Sequence, residues 1–278
     1  MKKLIAFFLA SVMVLSLLTG CNDKESPVDE EPKNVTVAET VIYDKKDITI
    51  TVTGMTKTNL GVQFSVDVRN RSERNIIFTA NYFVVNGITV GGGGFIACDA
   101  DRSVQDTIYL YSSELEKAGI KTVATVRGMD CRIIDSNTSK PLYTFDFDLV
   151  TSAGADYQQE VNTDGDVLLD SNGIRILSKN FTHDVYGEAS RLVMMNNTNR
   201  AIVVEAQDIK VNGIRVDGKL YSTVYMNSVC FSDLSLYSSA LNEANIESVE
   251  SISFKLLIAD AKTFLPIVEP KEIVIAVD

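Results

Sequence analysis

The sequence predicts an all-β protein: two tandem antiparallel β-sandwich domains, each with one short helix before its late strands. Three observations predict it. Apolar and polar residues alternate with period two in many short runs, as where Val62, Phe64, Val66 and Val68 alternate with Gln63, Ser65, Asp67 and Arg69. Compared with itself at an offset of 126 residues, the chain shows 24 identities in 83 ungapped positions from Val41 to Val123. A repeat of that length is a duplicated domain, not a solenoid unit. Finally, the 278 residues are 45% hydrophobic with only 16 Gly and 5 Pro, which suits two cores of ordinary size and excludes a fibrous chain.

The first 40 residues stand outside this pattern. A basic Met1-Lys2-Lys3 precedes an apolar run from Leu4 to Leu18, shorter than the ~20 residues a membrane-spanning helix needs. It reads as the core of a secretory signal. Leu18-Thr19-Gly20-Cys21 follows at once and resembles the lipobox of bacterial lipoproteins. The resemblance implies a signal peptide over 1–20, cleavage before Cys21, and lipidation of the Cys21 thiol. Residues 21–40 are polar and acidic, carrying Asp23, Glu25, Asp29, Glu30, Glu31 and Glu39, with Pro27 and Pro32. Such a segment cannot bury enough apolar surface to order itself, so it is expected to be a disordered acidic tether.

Two repeats follow, over 41–152 and 167–278, joined by an acidic linker at 153–166. In the first repeat, strands are expected over 47–54, 62–69, 75–80, 82–86, 95–98, 104–111, 122–134 and 142–150. Their counterparts are 174–177, 191–196, 202–205, 209–211, 220–225, 229–236, 249–258 and 273–277. Seven to nine short strands in about 112 residues suit an immunoglobulin-like sandwich, with a small closed barrel as the alternative. No Trp is present, so the Cys…Trp…Cys pattern of antibody domains is missing. Asn86-Gly87 and Asn212-Gly213 each lie between apolar runs and suit the two positive-φ positions of a type I′ hairpin turn. Ser113 and Glu116 have the spacing of a helix capping box. Gly119 suits the left-handed position that ends a helix, and Asn245 occupies the same place in the second copy. Leu115 and Leu241 are expected to plug the open ends of the two sandwiches.

Charge and composition narrow the function. A formal charge of -11 disfavours a nucleic-acid partner, because phosphate binding needs a clustered basic surface. The single histidine, His183, rules out multi-histidine metal sites and is read as an exposed loop residue. Gly91-Gly92-Gly93-Gly94 lacks the Lys-Ser/Thr of a phosphate loop and reads as a flexible hairpin loop. Asn162-Thr163-Asp164-Gly165-Asp166 resembles a calcium loop only faintly: its glycine is misplaced and Gly173 stands where a glutamate is needed. Asp99, Asp101 and Asp106 form a weaker version. No cofactor is predicted. Beyond Cys21, Cys98, Cys131 and Cys230 face Val224, Leu257 and Val104 at the repeat offset, which favours buried, reduced thiols over a Cys98–Cys131 disulfide. Tyr221 and Tyr225 share parity on one expected strand; they are read first as covering a sheet face, with an exposed aromatic pair for a sugar as the alternative.

The Asn70-Arg71-Ser72 and Asn196-Asn197-Thr198 turns, the paired Val-Asn-Gly hairpins and the late Leu-x-x-Ala-x-Ile step resemble the repeated sandwich domains of secreted bacterial lipoproteins of unknown function. The expectation is a lipid-anchored extracytoplasmic surface protein, not an enzyme, with an interaction or envelope structural role. Its expected partners are the membrane through Cys21 and an envelope protein or glycan. The alternatives are a solute- or glycan-binding lipoprotein and a hydrolase.

Overall fold

The computed structural model describes residues 34–184 and 187–277. The signal segment, Cys21 and most of the tether lie outside the described residues. The first repeat starts with a meander of β1 (Thr40–Lys45), β2 (Ile48–Thr58) and β3 (Gly61–Asn70), and β8 (Arg102–Tyr111) adds beside β3. A second layer contains β4 (Ile76–Thr79), β7 (Phe95–Cys98), β9 (Thr125–Asp135) and β10 (Pro141–Val150), in the order β7-β4-β9-β10. β5 (Tyr82–Val85) pairs with both β9 and β6 (Ile88–Gly93). The protein is all-β and sandwich-like, as the alternation predicts. In β3 the residues Val62, Phe64, Val66 and Val68 are buried and share one core with Phe78, Phe83, Ile133 and Phe147. Each such side chain contributes about 1.5–3 kcal/mol when fully buried.

The second repeat rebuilds the same plan. β11 (Asp166–Ser171), β12 (Ile174–Asp184), β13 (Gly187–Asn196) and β18 (Ser228–Tyr237) form one layer. β14 (Ile202–Val211), β15 (Ile214–Arg215), β17 (Tyr221–Val224), β19 (Ser251–Asp260) and β20 (Pro266–Ala276) form the other. The short β16 (Gly218–Lys219) pairs with β18. β2, β3, β8 and β9 each start 126 residues before β12, β13, β18 and β19 (48 against 174, for example). The offset slips by one at a β9 bulge, where Asp130 has φ +51 and the pairing with β10 shifts. Beyond it, Cys131 faces Phe145 as Leu256 faces Lys271, so the buried counterpart of Cys131 is Leu256 rather than Leu257.

Helices α1 (Ser112–Lys117) and α2 (Ser238–Glu243) precede β9 and β19. The capping box expected at Ser113 and Glu116 does not form. α1 begins two residues earlier, with Tyr111 instead of Ser113 as N-cap and no side-chain cap bond, so Ser113 already lies inside the first turn. The C-terminal end instead carries the order. Gly119 at φ +67 and Asn245 at φ +55 let Ile120 N–H reach the Leu115 carbonyl at 2.8 Å and Ile246 N–H reach that of Leu241 at 2.9 Å, a Schellman closure in both copies. Leu115 and Leu241 are buried against their cores.

Two asparagine pairs hold the repeats at matching points. Asn86 and Asn212 occupy their turns at φ +50, followed by Gly87 and Gly213 at φ +82 and +81. Their side chains also clamp the entry to the late strand. Asn86 donates to the Thr122 carbonyl and accepts from Ala124 and Thr125 N–H; Asn212 does the same to Ser248, Glu250 and Ser251. Asn70 and Asn196 are fully buried. Asn70 donates to the carbonyls of Arg74, Cys98 and Asp99 and accepts from Ser72. Asn196 reproduces this with Arg200, Val224, Tyr225 and Thr198.

The repeats are joined by more than the linker. β6 pairs with β8 through Gly92 and Gly93 and, in parallel, with β18 through Ile88 and Thr89. One sheet therefore runs through both repeats. The glycine run is thus not a flexible loop: Gly91–Gly93 are strand residues. A Cβ on Gly92 would collide with the Tyr109 carbonyl and the Phe83 ring, which is why the close approach to β8 needs glycine. Thr89 and Ser228 hydroxyls meet at 3.0 Å, Lys117 pairs with Asp233 at 2.7 Å, and Arg127 donates to the Met226 carbonyl at 3.0 Å. Val84 and Met129 bury Tyr225 between the repeats. The expected tether shortens at its end, because Val37 bridges Thr151 and is buried. The 153–166 linker is not wholly exposed: Gln159 bonds to Asn86 and Val161 packs on the first core.

Candidate functional site

Among the described residues β1 and β10 are edge strands: β1 pairs only with β2, and β10 only with β9. At one end they are tied together, where Ser152 N–H donates to the Thr36 carbonyl at 2.7 Å beside the Val37–Thr151 bridge. From there they diverge. The groove between them, lined by Val41 to Lys45 and Leu142 to Asp146, has a volume of about 580 Å³.

Aromatic rings form its floor. The Tyr43 and Phe145 centroids lie 4.6 Å apart, Tyr43 and Tyr143 6.2 Å apart, and Phe145 and Phe78 6.0 Å apart. A bulge in β1 between Val41 and Tyr43 sits beside the tyrosine, which is 8% exposed. Burial, with Tyr143 beside it, pushes the Tyr43 phenol above its ordinary range, so it is a neutral group at physiological pH. Two carboxylates border the floor. Asp44 accepts from the Thr49 hydroxyl at 2.9 Å, and Asp146 accepts from the Asp130 N–H at 2.8 Å. Lys45 is the cation among the lining residues.

The second repeat supplies an internal control. Tyr43 faces Ile50 as Leu169 faces Ile176; Tyr143 faces Ile133 as Val268 faces Ile258; Phe145 faces Cys131 as Lys271 faces Leu256. The aromatic floor therefore becomes Leu169, Val268 and Lys271. Lys271 Nζ reaches across to donate to the Leu168 carbonyl at 3.1 Å. Pro270 also removes an amide from the outer strand. An inward lysine and a proline are the usual means by which proteins block a free sheet edge. The second copy has both; in the first, Phe145 stands where Lys271 does, and Thr144, which keeps its amide, stands in the place of Pro270.

The residues singled out in the sequence fall elsewhere. Cys21 lies outside the described residues. Asn86, Gly87, Asn212, Gly213, Gly119 and Asn245 sit in turns and helix ends; Ser113 and Glu116 lie on the outside of α1. Tyr221 and Tyr225 are not an exposed pair. Tyr221 is exposed, but Tyr225 is buried, its ring 6.3 Å from Tyr82 and its hydroxyl donating to Asp130 at 3.1 Å. His183 is an exposed strand residue 2.7 Å from Glu188. Cys98, Cys131 and Cys230 are buried free thiols. Burial pushes Cys131 and Cys230 up to about 12 and also raises Cys98. Among the described residues no three His, Cys, Asp or Glu side chains converge as a metal site.

The carboxyls held below their ordinary range serve structure. Asp135 caps its turn by accepting from Thr138 and Asn137 N–H, and Asp260 does so from Thr263 and Lys262. Burial raises Asp233, but hydrogen bonds from Lys117 and Arg191 outweigh it and leave a net lowering. The groove was invisible to the sequence because β1 carries three successive apolar residues, Val41-Ile42-Tyr43, instead of an alternation. The usable signal was the contrast between copies, Tyr43 against Leu169 and Phe145 against Lys271.

No family model matches the chain, and no curated protein matches it. Among solved structures, a red sea bream transglutaminase is similar over 87% of this chain and 31% of its own, at 9% identity and a TM-score of 0.23. This chain thus spans about a third of that protein's length. No helix among the described residues is long and apolar enough to cross a membrane.

Proposed function

We propose that this chain is a lipid-anchored extracytoplasmic surface protein with a non-catalytic interaction role. Its lipid is carried on Cys21, and its two coupled repeats present the first-repeat groove to a partner in the cell envelope. The observation that carries the interaction reading is the difference between two copies of one scaffold: the β11–β20 gap is spanned by Lys271, whereas the β1–β10 gap is open and aromatic. The shared β6–β18 pairing supports a stiff body, suited to presenting a surface and ill-suited to a cleft that closes over a substrate. The anchor rests on Leu18-Thr19-Gly20-Cys21 behind its basic start and apolar core; two acyl chains give a durable hold where one is marginal. The rings and carboxylates of the groove also favour a second reading, a glycan-binding lipoprotein.

Membrane fractionation of cells producing the full chain and its Cys21→Ser variant tests the anchor. The parent is expected with the membrane and the variant released; retention of the variant overturns it. Incubating the purified chain with envelope extract tests the interaction role. Stoichiometric capture of one small solute, or its chemical conversion, overturns a non-catalytic interaction protein.

A further inference from the structure

We infer that the free edge of β10 pairs with an extended polypeptide segment that carries basic side chains at alternate positions. This rests on the interaction reading above and names the partner's chemistry. An edge strand offers a row of main-chain donors and acceptors, and extended peptides dock on such edges by adding a strand. β10 has that edge along the groove. The incoming strand's inward side chains would cover Tyr143 and Phe145, both half-buried next to Tyr43.

Charge chooses the occupant. Thr144, Asp146, Asp148 and Val150 are exposed along β10. On its paired side β10 meets cations: Asp148 stands opposite Arg127, and Thr144 opposite Arg132. Among the described residues no ion pair engages Asp146 or Asp148, so a strand added on the free side is stabilised by basic residues and opposed by acidic ones, as cross-strand pairs generally are. Lys140 precedes β10, at the end away from these acids, and Lys45, the cation lining the groove, shares that lining with both Asp44 and Asp146. A second copy of this chain is the wrong occupant. Antiparallel β10–β10 pairing would set the two copies' acids against each other, and each chain carries a net charge of -11.

The test uses the full chain in mild detergent and three fluorescent ten-residue probes: one alternating lysine with valine, one alternating glutamate with valine, and the lysine probe N-methylated at alternate amides. Anisotropy titrations are expected to show the lysine probe binding at least tenfold more tightly than either other probe, and weakening between 50 and 300 mM salt as exposed charge pairs are screened. Asp148→Lys, on an exposed position, is expected to lose at least tenfold for the lysine probe. Phe145→Lys, which copies the second repeat, is expected to lose it too, and a thermal melt confirms each variant's fold. Binding of lysine and glutamate probes within twofold of each other overturns the inference. So does an unchanged affinity in Asp148→Lys, no binding of any probe, or a β10-dependent dimer of the chain in sedimentation. Probe failure with capture of an envelope component that Phe145→Lys abolishes would leave the interaction role standing and discard only the basic strand.

Discussion

Replacing Asn70 with alanine should destabilise the fold severely, although the residue touches no ligand groove. Its side chain is 0% exposed and occupied at both ends. The amide donates to carbonyls at 2.7, 3.2 and 2.9 Å, and the oxygen accepts from the Ser72 N–H and hydroxyl at 3.1 and 2.7 Å. Alanine removes these bonds and leaves the Arg74, Cys98 and Asp99 carbonyls without this donor. A net hydrogen bond is worth about 1 kcal/mol, and a buried group stripped of its partner costs roughly 1–3 kcal/mol. Together these give a loss of about 3–5 kcal/mol, since Arg74 O retains the Ser72 hydroxyl at 3.4 Å. With an m-value near 3 kcal/mol/M for a chain of this size, the urea midpoint should fall by roughly 1–1.7 M. Asn196→Ala should cost a similar amount, and because β6 and β18 share a sheet, both variants should lower the same transition. Asn70→Asp keeps the acceptor and loses the donors, so it should fare no better. Equilibrium unfolding by circular dichroism reads this directly. A loss below about 1 kcal/mol in Asn70→Ala would refute the reasoning that the buried amide, rather than the surrounding strands, holds the turn.

Other outcomes follow from the same structure. Cys131 and Cys230, pushed up to about 12 by burial, should resist a thiol reagent at pH 8 in the folded protein and react within minutes once urea unfolds it; rapid native labelling would contradict their burial. Because Asp135, Asp233 and Asp260 are held below the ordinary carboxylate range in the folded state, their stabilisation is present above the unfolded value near pH 4 and is lost as pH falls through the folded values. Thermal melts from pH 7 to pH 2 should therefore show falling stability below about pH 4, with less fall in Asp233→Asn. Tyr225→Phe removes the hydroxyl that meets Asp130 between the repeats and should cost about 1–2 kcal/mol, and a double-mutant cycle with Asp130→Asn should show coupling. Gly61→Ala should destabilise strongly, because Gly61 has φ +129 and an added Cβ would meet the Leu110 carbonyl; wild-type stability in that variant would contradict the geometry.

The duplicated pattern was legible because each strand's alternation is local and its two copies corroborate each other. Val62, Phe64, Val66 and Val68 point inward for the reason their spacing says, and Asn86-Gly87 turns because those residues tolerate positive φ. Helix starts were less legible. Ser113 satisfies a capping pattern, but the strand leading through Tyr111 delivers the chain into α1 two residues early. Tyr225 shows the same limit, since parity places it on an outer face, while the second repeat's seat on the first buries it.

Sequence alone determined the all-β class, the duplication, the turn residues and the buried thiols, because these depend on period, residue size and backbone freedom within a few positions. Only the tertiary structure decided which edges stay open. The β1–β10 groove joins residues about a hundred positions apart, and its aromatic floor forms where two strands diverge from the Val37–Thr151 bridge. The glycine run likewise changed meaning once β6 was seen lying between β8 and β18. Close approach of distant backbones is a property of packing, and no local pattern encodes it.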